Sequence, residues 1–134
     1  MSVFVDTSAL YAVLDADDAN HAAAAAEWHR LLGSSVVLVT SNYVLLETTA
    51  LLQHRLGLEA VRIFHHDVCP VLGIEWIDEN THRAGMSSVL TTSQRKLSLV
   101  DCISFALMGE LGIRQVFAFN RHFSEQGFIC LPRL

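Results

Sequence analysis

Short β-favouring runs alternate with longer helical stretches along the whole chain, and that alternation limits the possible folds more than any other feature. Val3, Phe4 and Val5 form the first run, and residues 36–39, 74–77, 116–119 and 128–131 supply four more. Helical patterns separate them. Strands joined by helices pair in parallel through right-handed crossovers, so this order predicts an α/β fold with a central, mostly parallel sheet. A chain of 134 residues without internal repeats is expected to form one domain, residues 1–134.

The helical stretches carry readable ends. Leu10, Tyr11, Val13 and Leu14 stand at helical spacing directly after the first run, and Asp15, Asp17 and Asp18 close them in a polar turn. Asn20 is placed to cap a second helix that stops at Gly33. A third helix runs from Tyr43 toward Gly57 with Glu47 in its second turn, and a fourth over residues 58–68 sets Leu58, Val61, Phe64 and Val68 on one face before Pro70 ends it. Asp78 or Asn80 caps a fifth that reaches about Thr91. Ser98 and Asp101 have the spacing of a capping box, opening an apolar helix that Gly112 ends.

Three acids occupy equivalent places in this order. Asp6 follows the first strand, Glu47 lies early in the helix after the second, and Asp101 opens the helix before the fourth. In a parallel sheet, ligands bind outside the carboxyl ends of the strands, and all three acids fall at that edge. Carboxylates gathered there repel one another unless protons or a cation neutralise them, and a hard-oxygen set suits Mg²⁺ or Mn²⁺. Each acid also has a plainer role, Asp6 as a cap, Asp101 as half of a capping box and Glu47 as a solvated helix residue. For Glu47 the plain role is weakened by its apolar neighbours Val44, Leu45 and Leu46, because a buried acid needs a partner.

Composition narrows the partners. A formal net charge of −5 argues against the basic footprint of a general nucleic-acid binder, but it leaves room for an enzyme that meets phosphates through a cation. Hydrophobic residues make up 51% and charged residues 17%, a surplus of apolar surface of the kind that ends in a subunit or partner interface. The longest uncharged stretch, residues 31–46, is broken by Gly33, Ser34, Ser35, Thr40, Ser41 and Asn42 and falls short of a membrane span, and the first residues lack an apolar signal core. The expected location is the cytoplasm, with no membrane partner. Cys69, Cys102 and Cys130 are odd in number and far apart, which fits buried reduced thiols. His65 and His66 are adjacent, so they do not share a helix face, and they are read as surface or packing residues.

Four strings carry a resemblance over essentially the whole chain: Val5-Asp6-Thr7-Ser8-Ala9-Leu10, Thr40-Ser41-Asn42-Tyr43-Val44-Leu45-Leu46-Glu47, Leu97-Ser98-Leu99-Val100-Asp101-Cys102-Ile103-Ser104-Phe105-Ala106 and Phe117-Ala118-Phe119-Asn120-Arg121-His122-Phe123. In order and spacing they resemble the four sequence blocks of the PIN domain family, and most of all its VapC-type branch, the ribonuclease half of toxin–antitoxin pairs. The resemblance implies a three-layer α/β/α PIN-like domain with an acidic pocket that binds Mg²⁺ or Mn²⁺. Asp6, Glu47 and Asp101 match the family's metal-site acids, and Ser8 matches a hydroxyl or amide position beside the first acid. The family's fourth acid falls at Asn120, and the threonine or serine two residues earlier is Ala118 here. An amide can offer a carbonyl oxygen but no charge, so the expectation is cleavage that is retained, weakened and dependent on high divalent-ion concentration. A plain helix-start cap is the other role open to Asn120.

The activity implied is metal-assisted hydrolysis of RNA phosphodiesters leaving a 5′-phosphate and a 3′-hydroxyl, with Asp6 and Asp101 holding the cation and Glu47 acting directly or through water. Arg95, Lys96 and Arg121 flank the acidic blocks and are candidates for gripping RNA phosphates, or are ordinary solvated cations. The alternative is a catalytically weakened or silent PIN scaffold that binds an antitoxin or RNA. A phosphohydrolase of the haloacid-dehalogenase type would want a second Asp two residues after the first, where Ser8 stands. The implied partners are an RNA substrate, a cognate VapB-like antitoxin and a second copy in a homodimer, with the helices at residues 43–56 and 58–68 as walls of the antitoxin groove.

Overall fold

β1 (Ser2–Val5) takes the centre of a five-stranded sheet in the computed structural model, which describes residues 1–92 and 96–133. Val3, Phe4 and Val5 are wholly buried, which explains why this run shows no polar alternation. On one side lie β2 (Val37–Ser41) and then β3 (Gly73–Glu75); on the other lie β4 (Gln115–Phe117) and then β5 (Ile129–Leu131). Every pairing is parallel, with Phe4 opposite Val39 and Val116. The expected mostly parallel sheet is therefore wholly parallel.

The helices are α1 (Thr7–Leu14), α2 (His21–Leu32), α3 (Asn42–Arg55), α4 (Leu58–Ile63), α5 (Glu79–Thr91), α6 (Leu99–Leu111) and α7 (His122–Glu125). Through α1 to α4 the chain moves outward from β1 to β3, and α5 and α6 bring it back past β1 to β4. With right-handed crossovers, that reversal puts helices on both faces and makes three layers, α/β/α. Trp28 of α2 stacks on Phe117 of β4, and Phe105 of α6 packs on Phe123 and Phe128. The reversal also opens a crevice between β1 and β4 at their carboxyl ends, the place where open parallel sheets bind ligands.

Several helix ends follow the sequence closely. Asp78 caps α5 by accepting from the Thr81 amide, Ser98 and Asp101 close a full capping box on α6, and Gly112 ends α6 at a left-handed φ of 69°. Elsewhere the structure differs. Asn20 precedes α2 but makes no side-chain capping bond. The second strand starts one residue later than its apolar run and ends two residues later, because the buried Thr40 hydroxyl donates to the Val5 carbonyl at 2.7 Å and holds the polar end in the sheet.

The helix expected over residues 58–68 is two pieces, α4 and a π-helical turn at Phe64–Val68, followed by a 3₁₀ turn at Cys69–Val71 that contains Pro70. Proline lacks the amide that would continue the ladder, so the turn before it slackens and the Cys69 amide bonds back to the Phe64 carbonyl. Phe64 and Val68 reach the core, whereas Leu58 is 55% exposed and leaves the predicted face. The cysteines are free thiols, with Cys102 buried and the other two half-buried. Among the described residues no helix is long and apolar enough to cross a membrane.

Candidate active site

Asp6 sits where β1 turns into α1. Its amide donates to the Phe117 carbonyl of β4 at 3.0 Å, which fixes the backbone across the crevice, and its side chain caps α1 by accepting from the Ser8 amide at 3.1 Å. The Ser8 hydroxyl donates to the same carboxylate oxygen at 2.6 Å and accepts from the Phe119 amide at 2.9 Å. Ser8 thus locks Asp6 to the loop after β4. Only 3% of Asp6 is exposed, and burial pushes its carboxyl up to about 6 against the pull of the Ser8 bonds, with the charges of Asp101 and Glu47 adding to the rise.

Glu47 comes from the second turn of α3, whose cap is the Ser41 hydroxyl accepting from the Val44 amide. It is half-buried, and burial raises its carboxyl; a Thr7 hydrogen bond opposes the rise and the Asp101 charge adds to it. Thr7 in turn accepts from the Thr48 hydroxyl at 3.0 Å. Asp101, 8% exposed, stands in the first turn of α6, where one carboxylate oxygen accepts from the Ser98 amide at 3.2 Å.

The other Asp101 oxygen accepts from the Asn120 side-chain amide at 3.1 Å, and the Asn120 carbonyl oxygen accepts from the His122 amide at 3.0 Å. Both neighbours fix which way the amide points, since a flip would set oxygen against oxygen and N–H against N–H. Asn120 therefore ties the loop after β4 to Asp101 and starts the turn into α7, with its carbonyl already engaged.

These side chains line one cleft of about 370 Å³ at the carboxyl edge of the sheet: Asp6, Ser8, Glu47, Asp101 and Asn120, joined by Thr7, Leu51, Lys96 and Ser98. A cleft of similar size at the opposite edge, around Met1, Leu111, Arg114 and Ile129, has no acid in its walls. Of the expected cations, Lys96 borders the acidic cleft, Arg121 is exposed at the start of α7 without lining it, and Arg95 lies outside the described residues. Thr7 was not singled out from the sequence; its position between Asp6 and Ser8 at a strand-to-helix junction was the available signal.

In donor type and charge the three carboxylates fit a hard divalent cation, and their mutual repulsion leaves them in want of one. Among the described residues no three His, Cys, Asp or Glu side chains stand close enough to chelate an ion as they are.

Comparison with known proteins covers the same span. The PIN domain model matches residues 3–129. The chain is 34% identical over 128 residues, 95% of each chain, to the 23S rRNA-specific endonuclease VapC20 of Mycobacterium tuberculosis, in both strain CDC 1551 / Oshkosh and strain ATCC 25618 / H37Rv. The crystal structure of Mycobacterium tuberculosis VapC20, described as a Sarcin-Ricin loop cleaving toxin, superposes with a TM-score of 0.84 at 33% identity, covering 95% of this chain and 96% of that one.

Proposed function

The chain belongs to the PIN domain family, and from that membership we propose that it is an endoribonuclease, the toxin of a VapBC-like pair, hydrolysing RNA phosphodiesters in the acidic cleft. The observation that carries the reading is the meeting of Asp6, Glu47 and Asp101 along one cleft at the switch point of the sheet. Since the relatives are named for 23S rRNA, that RNA is the first substrate to test.

Asp6 and Asp101, with Glu47 directly or through a water, are the residues that would hold Mg²⁺ or Mn²⁺, which when bound offsets phosphate charge and acidifies water. The chain's own groups supply the rest. Ser8 and Asn120 orient the two inner carboxylates. Glu47, half-buried on the same cleft, is the third carboxylate and acts on the attacking water directly or through the cation. Lys96, which borders the cleft, is the cation offered to a phosphate oxygen, and Arg121 and Arg95 are the further candidates that the sequence supplies. A VapB-like antitoxin over α3 and α4, a homodimer and a cytoplasmic location complete the proposal.

The weakened or silent scaffold remains the second reading, favoured by one observation: both polar atoms of Asn120 are engaged within the protein. An RNA cleavage assay with a Mg²⁺ titration decides. Asp6→Ala is expected to lower cleavage about a hundredfold or more, and Asn120→Asp to lower the Mg²⁺ concentration required. Cleavage untouched by Asp6→Ala would overturn the site, and a wild type that binds antitoxin yet cuts nothing would favour the scaffold.

A further inference from the structure

Beside the acidic cleft lies a second depression that the hydrolysis does not use. Its walls are Tyr43, Leu46 and Glu47 from α3, His82 from α5, and Leu99 and Val100 from the first turn of α6, around a volume of about 340 Å³. Glu47 borders both hollows, and Leu99 and Val100 lie between Ser98 and Asp101 of the acidic cleft, so the two are contiguous. Their chemistry is opposite. Carboxylates ring the first, whereas the second is aliphatic and aromatic apart from Glu47.

The aromatic wall is braced. Tyr43 and His82 are hydrogen-bonded through the phenol oxygen and Nδ1, with their rings 5.8 Å apart and 62° from coplanar, tying α3 to α5. With the Tyr43 hydroxyl donating, the His82 proton sits on Nε2, which leaves an N–H for a further acceptor. Leu46 is 72% exposed beside this wall, on a helix whose Val44 and Leu52 are wholly buried.

We propose that this depression is a base-binding subsite, receiving the nucleobase attached next to the scissile phosphate of a single-stranded or splayed RNA. The proposal rests on the ribonuclease reading of the adjoining cleft. A phosphodiester at the three acids carries a nucleoside on each side, so one base must be placed within a nucleotide's reach of Glu47. Proteins hold unstacked RNA bases on aromatic and aliphatic walls, with hydrogen bonds to the base edge. Among the described residues the apolar depression has no Lys or Arg in its walls to hold a phosphate, so it suits the base and not the backbone.

The test uses the full chain with Mg²⁺ and a short RNA of mapped cleavage position, in a series where each nucleotide flanking the scissile bond is made abasic. One flanking abasic position is expected to lower kcat/KM about tenfold in the wild type, the effect of losing one stacked base. In Leu46→Ser and His82→Ala the same change is expected to cost less than about threefold, whereas a purely structural role would scale every substrate alike. Equal abasic sensitivity in wild type and variants would overturn the subsite. So would a dimer-to-monomer shift in Leu46→Ser with an unchanged abasic profile, which would assign this face to a second copy. Should the wild type cut no RNA, the ribonuclease reading fails, and titration with nucleoside 5′-monophosphates then decides the subsite alone: saturable binding lost in Leu46→Ser supports it, and no binding refutes it.

Discussion

Burial sets Asp6 against its own charge. A carboxyl held at about 6 rather than 3.8 favours the protonated form in the folded chain. The penalty is absent below about pH 4, where the group is protonated folded or unfolded, grows between pH 4 and 6, and is complete above 6, reaching about 3 kcal/mol. Asn at this position keeps an acceptor for Ser8 and carries no charge. Asp6→Asn is therefore expected to raise the metal-free protein's stability at pH 7.5 by about 1–3 kcal/mol, with little gain at pH 4 and no cleavage. Thermal melts in chelator at both pH values check this; adding Mg²⁺ should raise the wild-type Tm and leave the variant unmoved. A variant less stable than wild type at pH 7.5 would mean that Asp6 is a satisfied cap and not a strained ligand.

At the scale of elements, α6 shows how one group serves two purposes. Its capping box closes through the Asp101 carboxylate, so the start of the helix and the orientation of a site acid are the same hydrogen bond. Ser98→Ala removes the hydroxyl that accepts from the Asp101 amide and is expected to cost about 1 kcal/mol of stability, together with a higher Mg²⁺ requirement for cleavage as the helix start loosens under Asp101; an unchanged requirement would show that the backbone amide at position 98 and Asn120 hold the carboxylate without the hydroxyl. The capping box was legible in the sequence because its partners are three residues apart. So were β1, β2, β4 and β5, whose apolar runs are continuous, and the three acids, each within two turns of a helix start; β3 lies at Gly73–Glu75 and not over the expected residues 74–77, a run that Glu75 interrupts. The Asn120 to Asp101 bond spans 19 residues and the Phe119 to Ser8 bond 111, so they depend on the sheet having formed and left no local pattern. The π-helical turn before Pro70 was hidden for another reason: Phe64 and Val68 keep helical spacing whether the ladder is regular or slack.

For the molecule as a whole, the apolar surplus has a place. Leu56, Leu58 and Ile63 stand exposed along the end of α3 and on α4, although the core is already filled from Val3, Phe4, Phe64 and Phe117. Exposed apolar residues so close in the chain fit the antitoxin face proposed over α3 and α4, and Leu58→Asp together with Ile63→Asp is expected to abolish co-purification of the antitoxin with the fold intact, while light scattering of the purified chain still gives a dimer. A monomeric wild type would remove the dimer from the proposal. The position of β1 at the centre of the sheet has a further consequence, in time. Synthesis delivers Asp6 at the outset, but β4, Phe119 and Asn120 come more than a hundred residues later, and a chain grows at only about 5–20 residues per second. Until then the Asp6 amide lacks the Phe117 carbonyl of β4, Ser8 lacks the Phe119 amide, and Asn120 is not there to steady Asp101. A site built this way stays incomplete for nearly all of the interval during which the chain is being made.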